Sequence, residues 1–263
     1  MSETSGQPLL AVDDVTIRFG GLTALDQVTF DIKEGEILGL IGPNGAGKTT
    51  CFNVMTGVYQ ATSGEVRFNG SPVGKLKRYK ITRLGIARTF QNIRLFKSMT
   101  VLENVMVGAD THSKVGFFDA LLRTPRHRRT EAESTARAKE LIKLVGVKAG
   151  LDEIAANLSY GEQRRLEIAR ALATNPKLLC LDEPAAGFNP AEKVELTNLI
   201  KKIRDNGYTV LLIEHDMRLV MGAVDRIVVL EFGRKIAEGT PAEIRDNPAV
   251  IAAYLGVDEE DAS

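Results

Sequence analysis

Four short apolar runs organise the chain: Ile37-Leu38-Gly39-Leu40-Ile41, Leu178-Leu179-Cys180-Leu181, Val210-Leu211-Leu212-Ile213 and Ile227-Val228-Val229-Leu230. They are apolar at every position, as expected of strands covered on both faces, and that is the condition of a parallel sheet flanked by helices. Upstream, Val28, Phe30 and Ile32 alternate with polar neighbours like a half-buried strand, and Gly35 turns the chain into the first run. Between the runs the spacing becomes helical. Leu196, Leu199, Ile200 and Ile203 fall at i, i+3, i+4 and i+7, with Asn206-Gly207 as a stop. Asn189 stands where it can cap that helix, Pro190 at its first position and Glu192 where a capping-box carboxylate reaches back. From about Gln91 to Asn157 strand-like runs disappear, and Ala138, Leu141, Ile142 and Val145 keep helical spacing up to Gly146. The pattern predicts an α/β core of about 8–90 and 158–240 with a helical subdomain at about 91–157, followed by a helical tail at 241–256.

Composition narrows the class. The 263 residues carry 34 basic and 34 acidic side chains, so the formal charge is zero, and 44% are apolar. Neutrality argues against a protein that holds nucleic acid by neutralising phosphates, and the apolar content argues against a disordered chain. No run approaches the roughly 18 apolar residues of a membrane span, and Met1-Ser2-Glu3-Thr4-Ser5 does not read as a secretory signal. Cys51 and Cys180 belong to no CxxC pair, which suggests free thiols in the reducing cytoplasm. The basic cluster Lys75–Lys80 and the basic turn Thr124–Arg129 read as solvated surface, and 257–263 as a frayed acidic tail.

The chemistry begins at Gly42-Pro43-Asn44-Gly45-Ala46-Gly47-Lys48-Thr49, directly after a predicted strand and followed by Thr50. This satisfies G-x-x-x-x-G-K-[ST]: successive backbone N–H groups form an anion cradle, the helix that follows adds its positive end, Lys48 neutralises β/γ-phosphate charge and the Thr49 hydroxyl can ligate Mg2+. A second feature is the strand Leu178–Leu181 ending in Asp182-Glu183. Ligands of such sheets bind at the carboxyl ends of strands, so Asp182 suits metal coordination and Glu183 can polarise an attacking water as a general base. A third is Leu158-Ser159-Tyr160-Gly161-Glu162-Gln163, which reads locally as a helix start with Ser159 as N-cap and Glu162 completing a capping box.

With these three motifs in this order, the chain resembles the nucleotide-binding subunits of ABC transporters over about Leu10 to Gly256. In that resemblance Gly42–Thr49 is the Walker A loop, Asp182-Glu183 closes Walker B, and Leu158–Glu162 is similar to the LSGGQ signature. Gln91 looks like the Q-loop glutamine, His215 in Ile213-Glu214-His215-Asp216 like the switch histidine, and Phe19 like the aromatic that stacks on adenine. The resemblance implies a P-loop NTPase fold of the ABC ATPase type: a mostly parallel core sheet, an N-terminal antiparallel β subdomain and an inserted helical subdomain. It implies Mg-ATP hydrolysis in a head-to-tail sandwich dimer, with Glu183, His215 and Gln91 catalytic and Thr49, Gln91 and Asp182 at the Mg2+. ATP would lie on Phe19 and Gly42–Thr50 of one copy and meet Ser159, Gly161 and Glu162 of the other. The implied partners are a second ATP-binding subunit, two membrane permease subunits at the cytoplasmic face of the membrane, and indirectly an extracytoplasmic binding protein, with no nucleic acid.

Departures from the general pattern narrow the resemblance. Tyr160 replaces the first signature glycine, Glu162 the glutamine, and the D-loop, usually S-A-L-D, reads Ala186-Gly187-Phe188-Asn189. With Arg88–Phe96, Met99–Asn104, the insertion Gly116–Arg129 and the ending Pro241–Gly256, these features look like the LivG-type subunits of branched-chain amino acid importers. Systems for urea, other amino acids or short amides, and lipopolysaccharide exporters, share much of this pattern. A soluble ABC ATPase acting on DNA or ribosomes would usually carry a coiled-coil insertion or a second cassette, which this sequence lacks.

Overall fold

A computed structural model of the chain describes residues 7–109 and 125–255. The acidic tail and most of the Gly116–Arg129 insertion lie outside the described residues.

Strands β1 (Leu10–Phe19) and β2 (Leu22–Ile32) form an antiparallel hairpin, after which β3 (Ile37–Ile41) enters a second sheet and leads into α1 (Lys48–Met55). β4 (Ser63–Phe68) and β5 (Ser71–Pro72) return to the first sheet, giving the order β2-β1-β4-β5. Then follow α2 (Arg78–Leu84), β6 (Ile86–Arg88), and the helices α3 (Val101–Ala109), α4 (Pro125–Val145) and α5 (Tyr160–Ala173). The chain re-enters the second sheet as β7 (Leu178–Asp182), α6 (Pro190–Asp205), β8 (Thr209–Ile213), α7 (Met217–Ala223), β9 (Arg226–Glu231) and β10 (Arg234–Gly239), and closes with α8 (Pro241–Arg245) and α9 (Pro248–Leu255). This sheet has the order β10-β9-β3-β8-β7-β6, with only the β9/β10 pair antiparallel.

The four apolar runs are β3, β7, β8 and β9, and their alternate residues serve two cores. Ile37, Leu179, Leu181, Val210, Leu212, Ile227 and Val229 face the helices, while Leu38, Leu40, Leu178, Cys180, Leu211, Ile213, Val228 and Leu230 face α1 and the antiparallel sheet. Every residue of β3, β7 and β8 is buried. Continuous apolarity was therefore the correct signal of a sheet covered on both sides.

Helix α6 has the predicted machinery: Asn189 and Glu192 form a reciprocal capping box, Pro190 follows, and Asn206 is the C-cap. The structure corrects two local expectations. Residues 125–129 are not a turn but the start of α4, because proline suits the first turn of a helix, where its missing N–H has no partner to lose. Helix α5, which follows Asn157, packs on both α3 and α4. At the start of α5 the box is only half formed. The Ser159 side chain accepts from the Glu162 N–H, but Oε1 of Glu162 accepts instead from the Lys148 and Ala149 N–H groups, both at 3.1 Å.

Candidate nucleotide site

The loop 42–47 joins β3 to α1, so its position is set by a fully buried strand of the sheet. Its glycines serve different ends. A Cβ on Gly42 (φ 150°) would stand 2.1 Å from the Leu230 carbonyl oxygen on the neighbouring strand, so this glycine is required by packing. Gly45 (φ 76°) has open space around its Cα and needs only the left-handed conformation. It lies on a cavity of about 650 Å3 lined by Asn44 through Thr50, Phe19, Glu183 and Phe232. Gly42 and Pro43 do not line the cavity; they lie behind it and their carbonyl oxygens accept from Lys48 Nζ at 2.6 and 2.8 Å. Burial pushes the Lys48 ammonium below the usual lysine range, and attraction to Glu183 opposes that shift. The loop thus stores a nearly sealed cation against two carbonyls, beside a recess that a phosphate can enter.

Phe19 ends β1 at the rim, 47% exposed, with its ring edge-on to Tyr59 at 5.2 Å. Phe232, in the β9–β10 turn, lines the same cavity and is 85% exposed. Sequence reasoning missed it, because a lone turn aromatic gives no signal until the turn is seen beside the phosphate loop.

Glu183 follows β7 and holds φ 43°, a left-handed conformation uncommon outside glycine that recurs at functional sites. Its N–H donates to the Ile213 carbonyl of β8 at 2.9 Å. Three predicted residues converge here: Gln91 Nε2 donates to Glu183 Oε2 at 3.0 Å, and His215 Nδ1 lies 3.7 Å from the same oxygen. Asp182, one residue earlier, is buried with Oδ2 3.5 Å from an Arg88 nitrogen. Burial pushes its carboxyl above the usual aspartate range, Arg88 pulls it down and Glu183 adds to the rise.

Two more side chains hold this arrangement and were not singled out from the sequence. Arg88 Nη1 donates to Asn53 and Thr56, and its guanidinium stacks on Phe52 and Phe90 at 4.4 and 4.6 Å from the ring centroids. Glu214, buried beside His215, accepts from the Ala185 N–H at 2.8 Å and so ties the turn after Glu183 to the histidine loop. Burial raises its carboxyl above the ordinary range. Arg88 lies three positions before Gln91 and Glu214 adjoins His215, but only the fold shows that they point inward.

Ser159, Gly161 and Glu162 do not line the cavity. They sit at the start of α5, where Ser159 and Tyr160 are exposed and the Tyr160 ring meets Phe188 edge-on at 6.1 Å. A second recess, of about 700 Å3, lies between the sheet and the helical layer and is lined by Ile81, Phe90, Phe96, Val107, Arg94 and Arg170 among others. No helix among the described residues is long and apolar enough to cross a membrane.

A phosphate loop at the carboxyl end of β3, a carboxylate pair at the end of β7 and a helical layer carrying the signature define an ATP-binding cassette. The ABC transporter family model matches residues 25–186, and a model for the branched-chain amino acid ATP-binding cassette transporter matches residues 234–260. The chain belongs to the ABC transporter ATP-binding family and is an ATPase of that family. It is 51% identical over 251 residues to the high-affinity branched-chain amino acid transport ATP-binding protein LivG of Salmonella typhimurium, covering 95% of this chain and 98% of that one. It is 49% identical to BraF of Pseudomonas aeruginosa over the same shares. Among solved structures, the ADP conformation of MJ1267, an ATP-binding cassette of an ABC transporter, superposes with a TM-score of 0.82 at 32% identity, covering 95% of this chain and 99% of that one. The dimeric structure of the cassette MJ0796 bound to ADP and Pi gives 0.72 at 27% identity, with 88% and 98% covered.

Proposed function

We propose that the chain hydrolyses Mg-ATP in a sandwich dimer at the cytoplasmic face of a membrane and thereby powers import of branched-chain amino acids through separate permease subunits. The observation that carries the ATPase mechanism is the convergence of Gln91 and His215 on Glu183 at the wall of the phosphate-loop cavity. The solute assignment rests on the relatives and on the matched segment 234–260.

The residues divide the work by their chemistry. Phe19 offers a ring face to adenine, and the N–H groups of Asn44 to Thr50 surround the phosphates. Lys48 leaves the Gly42 and Pro43 carbonyls for the β/γ-phosphate oxygens. Glu183 accepts a proton from the water that attacks the γ-phosphorus, as the bond from that phosphorus to the ADP oxygen breaks. Gln91 and His215 hold the carboxylate and reach the γ-phosphate. The donor set of Thr49 hydroxyl, Asp182 carboxylate and Gln91 amide oxygen suits Mg2+, a hard cation that keeps phosphate and water ligands, and a buried carboxylate with raised proton affinity gains from a cation opposite it. When bound, the ion neutralises charge on the phosphates.

Ser159 and Gly161 stand exposed or half-buried outside the cavity, as the sandwich requires, with the start of α5 meeting the nucleotide held by a second copy. The recess bounded by Phe90, Phe96 and Val107 adjoins Gln91 and suits an apolar segment of a permease. The test is Glu183→Gln, which should bind ATP, hydrolyse it at least a hundredfold more slowly and accumulate an ATP-bound dimer. Normal turnover would remove Glu183 from the role of base. Uptake of labelled leucine in a strain lacking the chain tests the solute.

A further inference from the structure

Arg164 lies on the first turns of α5 with its side chain completely buried. Its Nη1 donates to the Phe90 carbonyl at 2.6 Å and to Glu167 Oε2 at 2.8 Å. Its Nη2 donates to the Gln91 carbonyl at 2.6 Å and to the Tyr160 hydroxyl at 3.2 Å. Glu167 in turn accepts the Arg94 N–H at 3.1 Å. One ion pair therefore grips three main-chain groups of the 90–94 segment, while Arg164 also holds Tyr160 at the start of the signature helix. Placing a guanidinium and a carboxylate out of water is costly unless geometry recovers it, and a hydrophobic pair of the same volume often does as well or better. Filling space does not explain this pair.

Gln91 is held at both ends: its side chain reaches Glu183 at 3.0 Å, and its carbonyl is fixed by Arg164. When its side chain is drawn to a γ-phosphate, its backbone cannot move without α5. The start of α5 carries Ser159 and Gly161, which serve the other nucleotide if the sandwich reading is correct. We propose that Arg164, seated by Glu167, is a positioning residue that couples occupancy of a subunit's own ATP site to the placement of the signature helix it offers to the partner copy. Tyr160 extends the linkage, since its hydroxyl meets Arg164 and its ring meets Phe188 in the segment after Glu183.

The proposal rests on the sandwich dimer, and its test separates the two. In the Glu183→Gln background, the ATP concentration for half-maximal dimerisation is measured by sedimentation, and a fluorescent ATP analogue gives the affinity of the monomer at low protein concentration. Arg164→Lys keeps a charge against Glu167 but has no fork to span the Phe90 and Gln91 carbonyls. The double variant Arg164→Met/Glu167→Leu removes both charges together and so leaves no lone buried ion if the lysine variant fails to fold. Both variants should raise the dimerisation midpoint at least tenfold while monomer affinity stays within twofold. An unchanged midpoint in a folded variant overturns the coupling role alone, and so does an equal loss of monomer affinity, which would mark Arg164 as a support of its own site. Failure of the Glu183→Gln protein itself to dimerise overturns the sandwich and the coupling together.

Discussion

Gly42 and Gly45 share one phosphate loop and stand in opposite surroundings, so alanine at each should separate packing from conformation. At Gly45 a methyl meets nothing within 4 Å, and the cost is that of holding alanine at φ 76°, about 1–2 kcal/mol. At Gly42 the same methyl would lie 2.1 Å from the Leu230 carbonyl, where ordinary C···O contacts are about 3.3–3.6 Å. Relief requires β3 and β9 to part by more than about 1 Å, yet they are paired through Ile41 and Val229. Overpacking of a close-packed core costs about 1–3 kcal/mol and the glycine-only backbone region a further 1–3 kcal/mol, so the sum centres near 4 kcal/mol. A chain of this size loses roughly 2–4 °C of Tm per kcal/mol. Gly45→Ala should therefore melt about 2–8 °C below the parent, and Gly42→Ala about 12 °C below it. Both should bind ATP more weakly, Gly45→Ala because its methyl enters the cavity. Differential scanning calorimetry without nucleotide, paired with an ATP titration, checks both numbers. If Gly42→Ala melts no lower than Gly45→Ala, the loop is not wedged against β9 and the packing argument is wrong.

Two further outcomes follow from burial. Glu214 has its carboxyl raised above the free value of 4.5, so between the two values the folded protein binds more protons than the unfolded chain. Its contribution to stability is complete below pH 4.5 and is lost as pH rises through the native value. Glu214→Gln should gain stability relative to the parent as pH rises above 4.5 in urea unfolding, and the opposite slope would contradict the burial argument. Cys51 and Cys180 are buried and free, with thiols pushed up to about 12 by burial. A thiol reagent at pH 8 should find neither in the native protein and both in guanidinium; rapid native labelling would show that the inner face of α1 or β7 opens.

The central strands were legible in the order of residues alone, because a run apolar at both parities has its stable placement inside a sheet covered on two faces. So were the phosphate loop and the capped start of α6, where local backbone chemistry dictates the residues. The resemblance to a family then carried Gln91, His215 and Phe19, whose chemistry alone would not have singled them out. How these residues meet is a matter of the packed fold. Gln91, Glu183 and His215 come from three loops separated by 92 and 32 positions, and no local pattern records that Arg88 and Glu214 turn inward to hold them. Glu162 shows the same limit: its spacing from Ser159 fits a capping box, but the turn at Lys148 and Ala149 offers two N–H donors and takes the carboxylate. Arg164 shares α5 with Arg165 and Arg170, and nothing in their spacing marks it as the one the fold buries completely, because a side chain's burial depends on which distant segment packs over it.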